Sequence, residues 1–140
     1  MARRDVLADT SALYAFVDRN DANNVAARDA VAQILNGGRR IVATDYLIAE
    51  AVNLANARGG ATVALRVLDL VEQSAGIRVE WIGVDRFEAA KTFFRKYSDR
   101  HYSFTDCTSF VMMRELRVTE ALTTDRHFVE AGFSALLPVA

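Results

Sequence analysis

Asp5-Val6-Leu7-Ala8-Asp9-Thr10-Ser11-Ala12-Leu13 joins a strand, an acid and a helix start in one short stretch. Val6, Leu7 and Ala8 are apolar without alternation, the pattern of a strand buried on both faces of a parallel sheet. Asp9 falls where that strand ends. Thr10 and Ser11 are helix-starting residues, and Ala12 to Val17 continues as a short apolar helix. A carboxylate at such a junction stands on the C-terminal edge of the sheet, where open α/β folds bind ligands. Its other reading is a helix cap, a common use of Asp. The stretch alone leaves both open.

The rest of the chain repeats this strand-helix grammar. A helix is expected from about Asp21, its cap, to Asn36, stopped by Gly37-Gly38. Ile41-Val42-Ala43 reads as a second buried strand, with Thr44 or Asp45 capping a helix that carries Leu47, Ala51 and Leu54 inward and ends at Gly59-Gly60. Ala61 to Ser74 follows as a helix with Ala64, Val67, Leu68 and Val71 at core spacing. Ile77 to Ile82 alternates, placing Ile77, Val79 and Trp81 on one side, as an edge strand does. Asp85-Arg86-Phe87-Glu88 has the form of a capping box opening a helix to Tyr97. Ser103 or Thr105 caps a helix through Leu116, Ala121-Leu122-Thr123 is a further strand, and a last one lies near Phe133 to Leu137. This alternation predicts an α/β fold in which a central parallel sheet has helices on both faces and right-handed crossovers.

The 140 residues suit one domain, spanning 1–140, without repeats or linkers. A hydrophobic share of 51% fits a sheet covered on both faces. A net charge of −1 excludes a protein that binds nucleic acid by bulk positive charge, so any such affinity must be local. Cys107, the single cysteine, points to a reducing compartment. Ala2-Arg3-Arg4 is followed by Asp5 and only three apolar residues, so no export signal is expected, and no apolar run has membrane-spanning length. A soluble cytoplasmic protein, with no membrane partner, is the expectation.

Four acids stand out by position. Asp9 and Asp125 each end a buried strand, so both belong on one sheet edge. Asp106 opens a helix inside the otherwise uncharged stretch Tyr102-Ser103-Phe104-Thr105-Asp106-Cys107-Thr108-Ser109-Phe110. Glu50 interrupts the small apolar run Leu47-Ile48-Ala49-Glu50-Ala51-Val52, about two turns into its helix. Singly, each has an ordinary use as a cap, a turn acid or an ion-pair partner. Together, without an obvious basic partner, they would repel one another, and a divalent cation would remove that cost. Oxygen-only ligands select hard ions such as Mg²⁺ or Mn²⁺.

The segments around Asp9, Glu50 and Asp106, with Leu122-Thr123-Thr124-Asp125-Arg126-His127-Phe128, resemble the PIN-domain family. The length and short C-terminus are similar to those of the VapC-type toxins of toxin–antitoxin pairs. The resemblance covers essentially the whole chain, with Asp9, Glu50, Asp106 and Asp125 matching the four family acids in order. It implies a Mg²⁺-dependent endoribonuclease, the toxin of a type II pair, usually a homodimer, held inactive by a cognate antitoxin protein. Asp9 and Asp106 would hold the principal ion, with Glu50 and Asp125 completing the site directly or through water. Thr10 or Ser11 matches the polar residue supporting the first acid, and Thr105 is a further supporting residue. The implied products carry 5′-phosphate and 3′-hydroxyl ends. The competing reading is a non-catalytic PIN-like module whose acidic pocket captures a partner's Arg.

Other residues enter with smaller roles. Cys107 reads as a packed helix residue rather than a nucleophile. His101 and His127 are too few and too far apart for a zinc site, and neither is expected among the acids. Arg100 is the arginine expected to touch RNA. Val63, Leu70, Phe93 and Phe94 exceed what one core-facing stripe needs, which points to a homodimer. The groove between the Thr10–Val17 and Ala61–Ser74 helices is expected to seat an antitoxin tail that sets an Arg or Lys among the acids.

Overall fold

The computed structural model describes residues 4–140, so Ala2 and Arg3 of the Ala2-Arg3-Arg4 segment lie outside the described residues. The chain runs β1 (Val6–Ala8), α1 (Thr10–Val17), α2 (Asn24–Asn36), β2 (Ile41–Thr44), α3 (Asp45–Gly59), α4 (Ala61–Gln73) and β3 (Ile77–Glu80). It continues through α5 (Gly83–Lys96), a 3-10 turn at Ser98–Arg100, α6 (Phe104–Leu116), β4 (Glu120–Leu122), α7 (His127–Glu130) and β5 (Ser134–Ala135). The five strands pair in parallel in the order β3-β2-β1-β4-β5.

β1 is central because both its faces are covered. Val6 and Ala8 pack with residues of α1, α2, α3 and α4, including Leu13, Ile34, Ala51 and Val67. Leu7 points the other way, into Ala90, Phe110, Met112 and Phe128 of α5, α6 and α7. The chain leaves β1 toward β2 and β3, then returns to lay β4 on the opposite side of β1. That reversal opens a crevice at the C-terminal ends of β1 and β4. No helix of the described residues is long and apolar enough to cross a membrane.

Several local expectations shift, each for a visible reason. Asp21 does not cap α2. Its Oδ1 accepts the Asn23 amide at 2.8 Å, closing a turn, and the helix begins at Asn24. Asn24 Nδ2 then donates to the carbonyls of Ala15 (2.7 Å) and Phe16 (3.1 Å), fastening α2 to the end of α1. Thr44, not Asp45, caps α3, accepting the Leu47 amide at 3.0 Å. The Asp45 carboxylate instead accepts the Ile82 amide at 2.9 Å, which sets the turn that starts α5 at Gly83. The capping box is therefore not at Asp85–Glu88, where Glu88 pairs with Lys91 at 3.0 Å. It is at Ser103 and Asp106.

The edge strand stops at Glu80, and Trp81 leaves the sheet to stand 70% exposed instead of facing the core. Val63 and Leu70 are partly buried against one core, and Phe93 against the other. Phe94 stands exposed as expected, and Leu68, expected in the core, stands exposed as well, so with Trp81 and Val84 they carry the apolar surplus. The last strand is shorter than expected, Ser134–Ala135 alone.

Candidate active site

Parallel pairing of β1 with β4, Ala8 against Leu122, sets the ends of the two strands side by side. The Asp9 amide donates to the Leu122 carbonyl at 3.0 Å, so the residues after each strand face one crevice. Asp9 occupies the position before α1, yet its side chain makes no cap bond to that helix. The carboxylate accepts instead from Thr123 Oγ1 at 2.8 Å and Ser11 Oγ at 3.1 Å. Of the two candidates for supporting Asp9, Ser11 does so through its side chain. The Thr10 hydroxyl turns away to the Leu47 carbonyl at 3.5 Å.

Thr123 was not singled out in the sequence, although the run Thr123-Thr124-Asp125 ends a buried strand with two hydroxyls. It links two acids. While its hydroxyl donates to Asp9, its oxygen accepts the Asp125 amide at 2.9 Å. Ser11 has a matching second bond, accepting the Thr124 amide at 3.1 Å. A single hydrogen-bonded web therefore fixes the β1 and β4 ends relative to each other.

Asp106 arrives from the first turn of α6. Its Oδ2 accepts the Ser103 amide at 3.1 Å while its own amide donates to Ser103 Oγ at 2.9 Å. This capping box sets the carboxylate at the positive end of a 13-residue helix. Thr105, expected to support the site, contributes its carbonyl to Thr108 Oγ1 at 2.6 Å. Glu50 is exposed on α3 and reaches the same crevice from the β2 side. Asp9, Glu50, Asp106 and Asp125 all line one cleft of about 480 Å³.

The cleft is not composed of acids alone. His127 lies within it, with Nδ1 3.4 Å from Asp106 Oδ2 and 3.5 Å from Asp125 Oδ1. The expectation that neither histidine would stand among the acids is corrected here. A helical turn after β4 carries His127 back over the cleft, its amide donating to Asp125 Oδ1 at 2.9 Å. The Tyr102 ring meets it edge-on at 5.4 Å. His101 also lines the cleft, its backbone left-handed at φ 62°. Arg58, from the last turn of α3, lies on the wall, so the acids do have a basic neighbour. Arg100 does not line the cleft. It borders a separate small cavity with Tyr97, Tyr102 and Arg114.

Burial and mutual repulsion act on these acids. The Asp9 carboxyl is pushed up from 3.8 to about 6, chiefly because burial strips its water, with the Asp106 charge adding to this against hydrogen bonds from Thr123 and Ser11. Asp106 is raised as well, first by burial and then by the charge of Asp125, while Ser103 and His127 hold it down. Asp106, Asp125 and His127 each offer a ligand atom, all within 4.8 Å of one another. The buried Cys107 thiol is pushed up to about 11 by burial, which leaves it protonated and inert as a nucleophile at neutral pH.

Comparison with known proteins agrees with this fold. The PIN domain family matches residues 6–134. The 23S rRNA-specific endonuclease VapC20 of Mycobacterium tuberculosis (strain CDC 1551 / Oshkosh) is 31% identical over 98 residues, which is 70% of this chain and 74% of the relative. The same protein of strain ATCC 25618 / H37Rv gives the same figures. The crystal structure of Mycobacterium tuberculosis VapC20, described as a sarcin-ricin loop cleaving toxin, superposes with a TM-score of 0.81 at 27% identity. The match covers 91% of this chain and 95% of that one. The chain belongs to the PIN-domain family, as a homologue of VapC20.

Proposed function

We propose that residues 1–140 form one nuclease domain, a cytoplasmic metal-dependent endoribonuclease acting as the toxin of a type II toxin–antitoxin pair. The observation that carries this reading is the meeting of Asp9, Glu50, Asp106 and Asp125 in one cleft at the β1–β4 crevice. The homologue's name supports RNA as the substrate class, with a ribosomal RNA loop as the first candidate to try.

A divalent cation fits the donor set. The Asp9 carboxyl is buried and raised to about 6, and Asp106 is raised too, so both are held at a cost that a cation would offset. His127 is the one ion-pair partner of Asp106 and Asp125 among the described residues. Asp9 and Asp106 would hold the ion, with Asp125 and Glu50 at the cleft wall completing the shell directly or through water. Carboxylate oxygens favour Mg²⁺, with Mn²⁺ the alternative. When bound, such an ion neutralises the scissile phosphate and acidifies a water for attack. The chain's own part is orientation: Ser11 and Thr123 hold Asp9, the Ser103 box holds Asp106, and the Thr123 hydroxyl holds the Asp125 backbone.

The test is cleavage of a sarcin-ricin loop oligonucleotide and of total RNA, with Mg²⁺ and with EDTA. Asp9→Asn and Asp106→Asn should each abolish Mg²⁺-dependent cleavage while keeping the fold. Normal cleavage by either variant would refute the assignment. The competing Arg-capture module is separated by metal titration, because only a cation-binding site gains thermal stability with Mg²⁺ or Mn²⁺. The partners proposed are a cognate antitoxin that places a basic side chain among the acids, and a second copy of the chain.

A further inference from the structure

A cleft lined by five carboxylates, Asp21 besides Asp9, Glu50, Asp106 and Asp125, repels the polyanion it is proposed to cut, so cations beside it must hold the strand. We propose that Arg58, Arg66, Arg19 and Arg28 form a track that carries the RNA strand out of the acid cleft, through the groove between α1, α2 and α4. This rests on the ribonuclease reading and extends it to how the substrate is held.

The track begins inside the cleft, where the guanidinium of Arg58 lies 5.2 Å from the centre of the Tyr14 ring. Next to it opens a groove of about 510 Å³ lined by Phe16, Val17, Arg19, Arg28, Arg66 and Asp69, among others. Arg28 lies 4.6 Å above the Phe16 ring, and Arg66 Nη1 is 3.5 Å from the Val17 carbonyl. The two cavities share α1 as a wall, Tyr14 in one and Phe16 and Val17 in the other. Asp18, at the end of α1, joins them electrostatically. It is held low first by the Tyr14 hydroxyl, and the charges of both Arg66 and Arg58 act on it as well.

The charge balance favours an anionic occupant. Ion pairs among the described residues engage Arg39, Arg40, Arg78, Arg86, Lys91 and Arg126. None of the four track arginines joins an ion pair among the described residues; Asp69 is the one acid among the groove's lining residues, set against Arg19, Arg28 and Arg66, and Asp18 is the acid whose charge lies between Arg66 and Arg58. A peptide tail bearing Arg or Lys, expected in this groove from the sequence, would meet like charge along it. A phosphate backbone meets complementary charge, and Arg28 over the half-buried Phe16 ring sets a cation beside an aromatic side chain in the groove.

The experiment separates binding from cleavage by using the Asp9→Asn protein and a labelled single-stranded RNA of about 14 nucleotides. In that background Arg28→Gln, Arg66→Gln and Arg58→Gln combined should weaken binding about tenfold or more at low salt. The salt dependence of log Kd should become shallower by about 2, at about 0.7 per lost phosphate contact. Arg95→Gln, on α5, is the control and should leave the slope as it was. Photo-cross-linking of 4-thiouridine RNA to the Asp9→Asn protein should place adducts on Phe16, which is half-buried and lines the groove, a readout that needs no arginine variant. An unchanged slope in the triple variant, or adducts confined to α5, overturns the track. If the triple variant loses an antitoxin but keeps RNA, the groove is a protein site and the inference is wrong. Failure of the wild type to cleave any RNA with Mg²⁺ would instead strike the ribonuclease reading itself.

Discussion

His127 Nδ1 lies 3.4 Å from Asp106 Oδ2, an ion-pair distance between residues on different elements, α7 and α6. The imidazole also reaches Asp125 at 3.5 Å, so one side chain serves two acids of the cleft. With the imidazole protonated and no metal bound, this contact offsets part of their repulsion. His127→Ala should therefore lower stability in EDTA by about 1 kcal/mol, or a Tm lower by about 4 °C. Saturating Mg²⁺ should close much of that gap. A gap equally large with Mg²⁺ would show that the imidazole is only a packing residue against Tyr102.

Asp9 gives the metal-free protein a pH dependence of defined sign. Its folded value, about 6, is raised above the unfolded 3.8, so its contribution is fully present below pH 3.8 and is lost as pH rises through 6. The loss is about 3 kcal/mol, at about 1.4 kcal/mol per pH unit. Thermal melts in EDTA from pH 4.5 to 8 should show wild type falling relative to Asp9→Asn, with the two curves converging at the acid end. Parallel curves would contradict a buried, raised Asp9.

Thr123→Val keeps the shape of the side chain and removes both of its hydrogen bonds, to Asp9 and from the Asp125 amide. Leaving such buried groups unsatisfied costs about 1–3 kcal/mol. The variant should fold, melt lower, and cleave RNA at least tenfold more slowly with Mg²⁺ saturating, because both acids lose their anchor. Wild-type cleavage rates would show that the web is dispensable.

Cys107→Ala should leave RNA cleavage within a factor of two of wild type, the thiol being buried and pushed up to about 11. Native protein should also resist iodoacetamide on the time scale of a cleavage assay. Rapid alkylation with loss of activity would contradict the packed position.

Assembly is tested on the surface that the fold leaves apolar. Trp81 and Val84 are 70% and 78% exposed, and Trp81 shares a groove with Ile48, Val52, Leu68 and Val71. If the chain is a two-fold dimer through this face, Trp81→Ser with Val84→Asp should shift its light-scattering mass to that of a monomer. A wild-type mass of one chain at all concentrations would dispose of the dimer.

Much of this was legible along the chain because it depends on neighbours in sequence. Val6-Leu7-Ala8 had to be a two-sided strand, since three apolar residues without alternation leave no solvated face. Asp9 and Asp125 could be put on one sheet edge because each ends such a strand, and parallel strands share their C-terminal ends. The helix order and the PIN-domain resemblance followed from the same local patterns.

What only tertiary structure decided were choices among equivalent local uses. Asp21 and Asp85 carry ordinary helix-starting signals, yet the chain uses Asp21 to close a turn with Asn23. The turn before α5 is set by Asp45, distant in sequence, which accepts the Ile82 amide. Trp81 continues the alternation of β3 but lies beyond the last residue that β2 can pair, so the sheet no longer determines its side. His127, Thr123 and Arg58 joined the acids through strand pairing and helix return, which act over distances that a residue pattern does not encode. Local periodicity chose the elements, while the long-range pairing of β1 with β4 decided which side chains share the cleft.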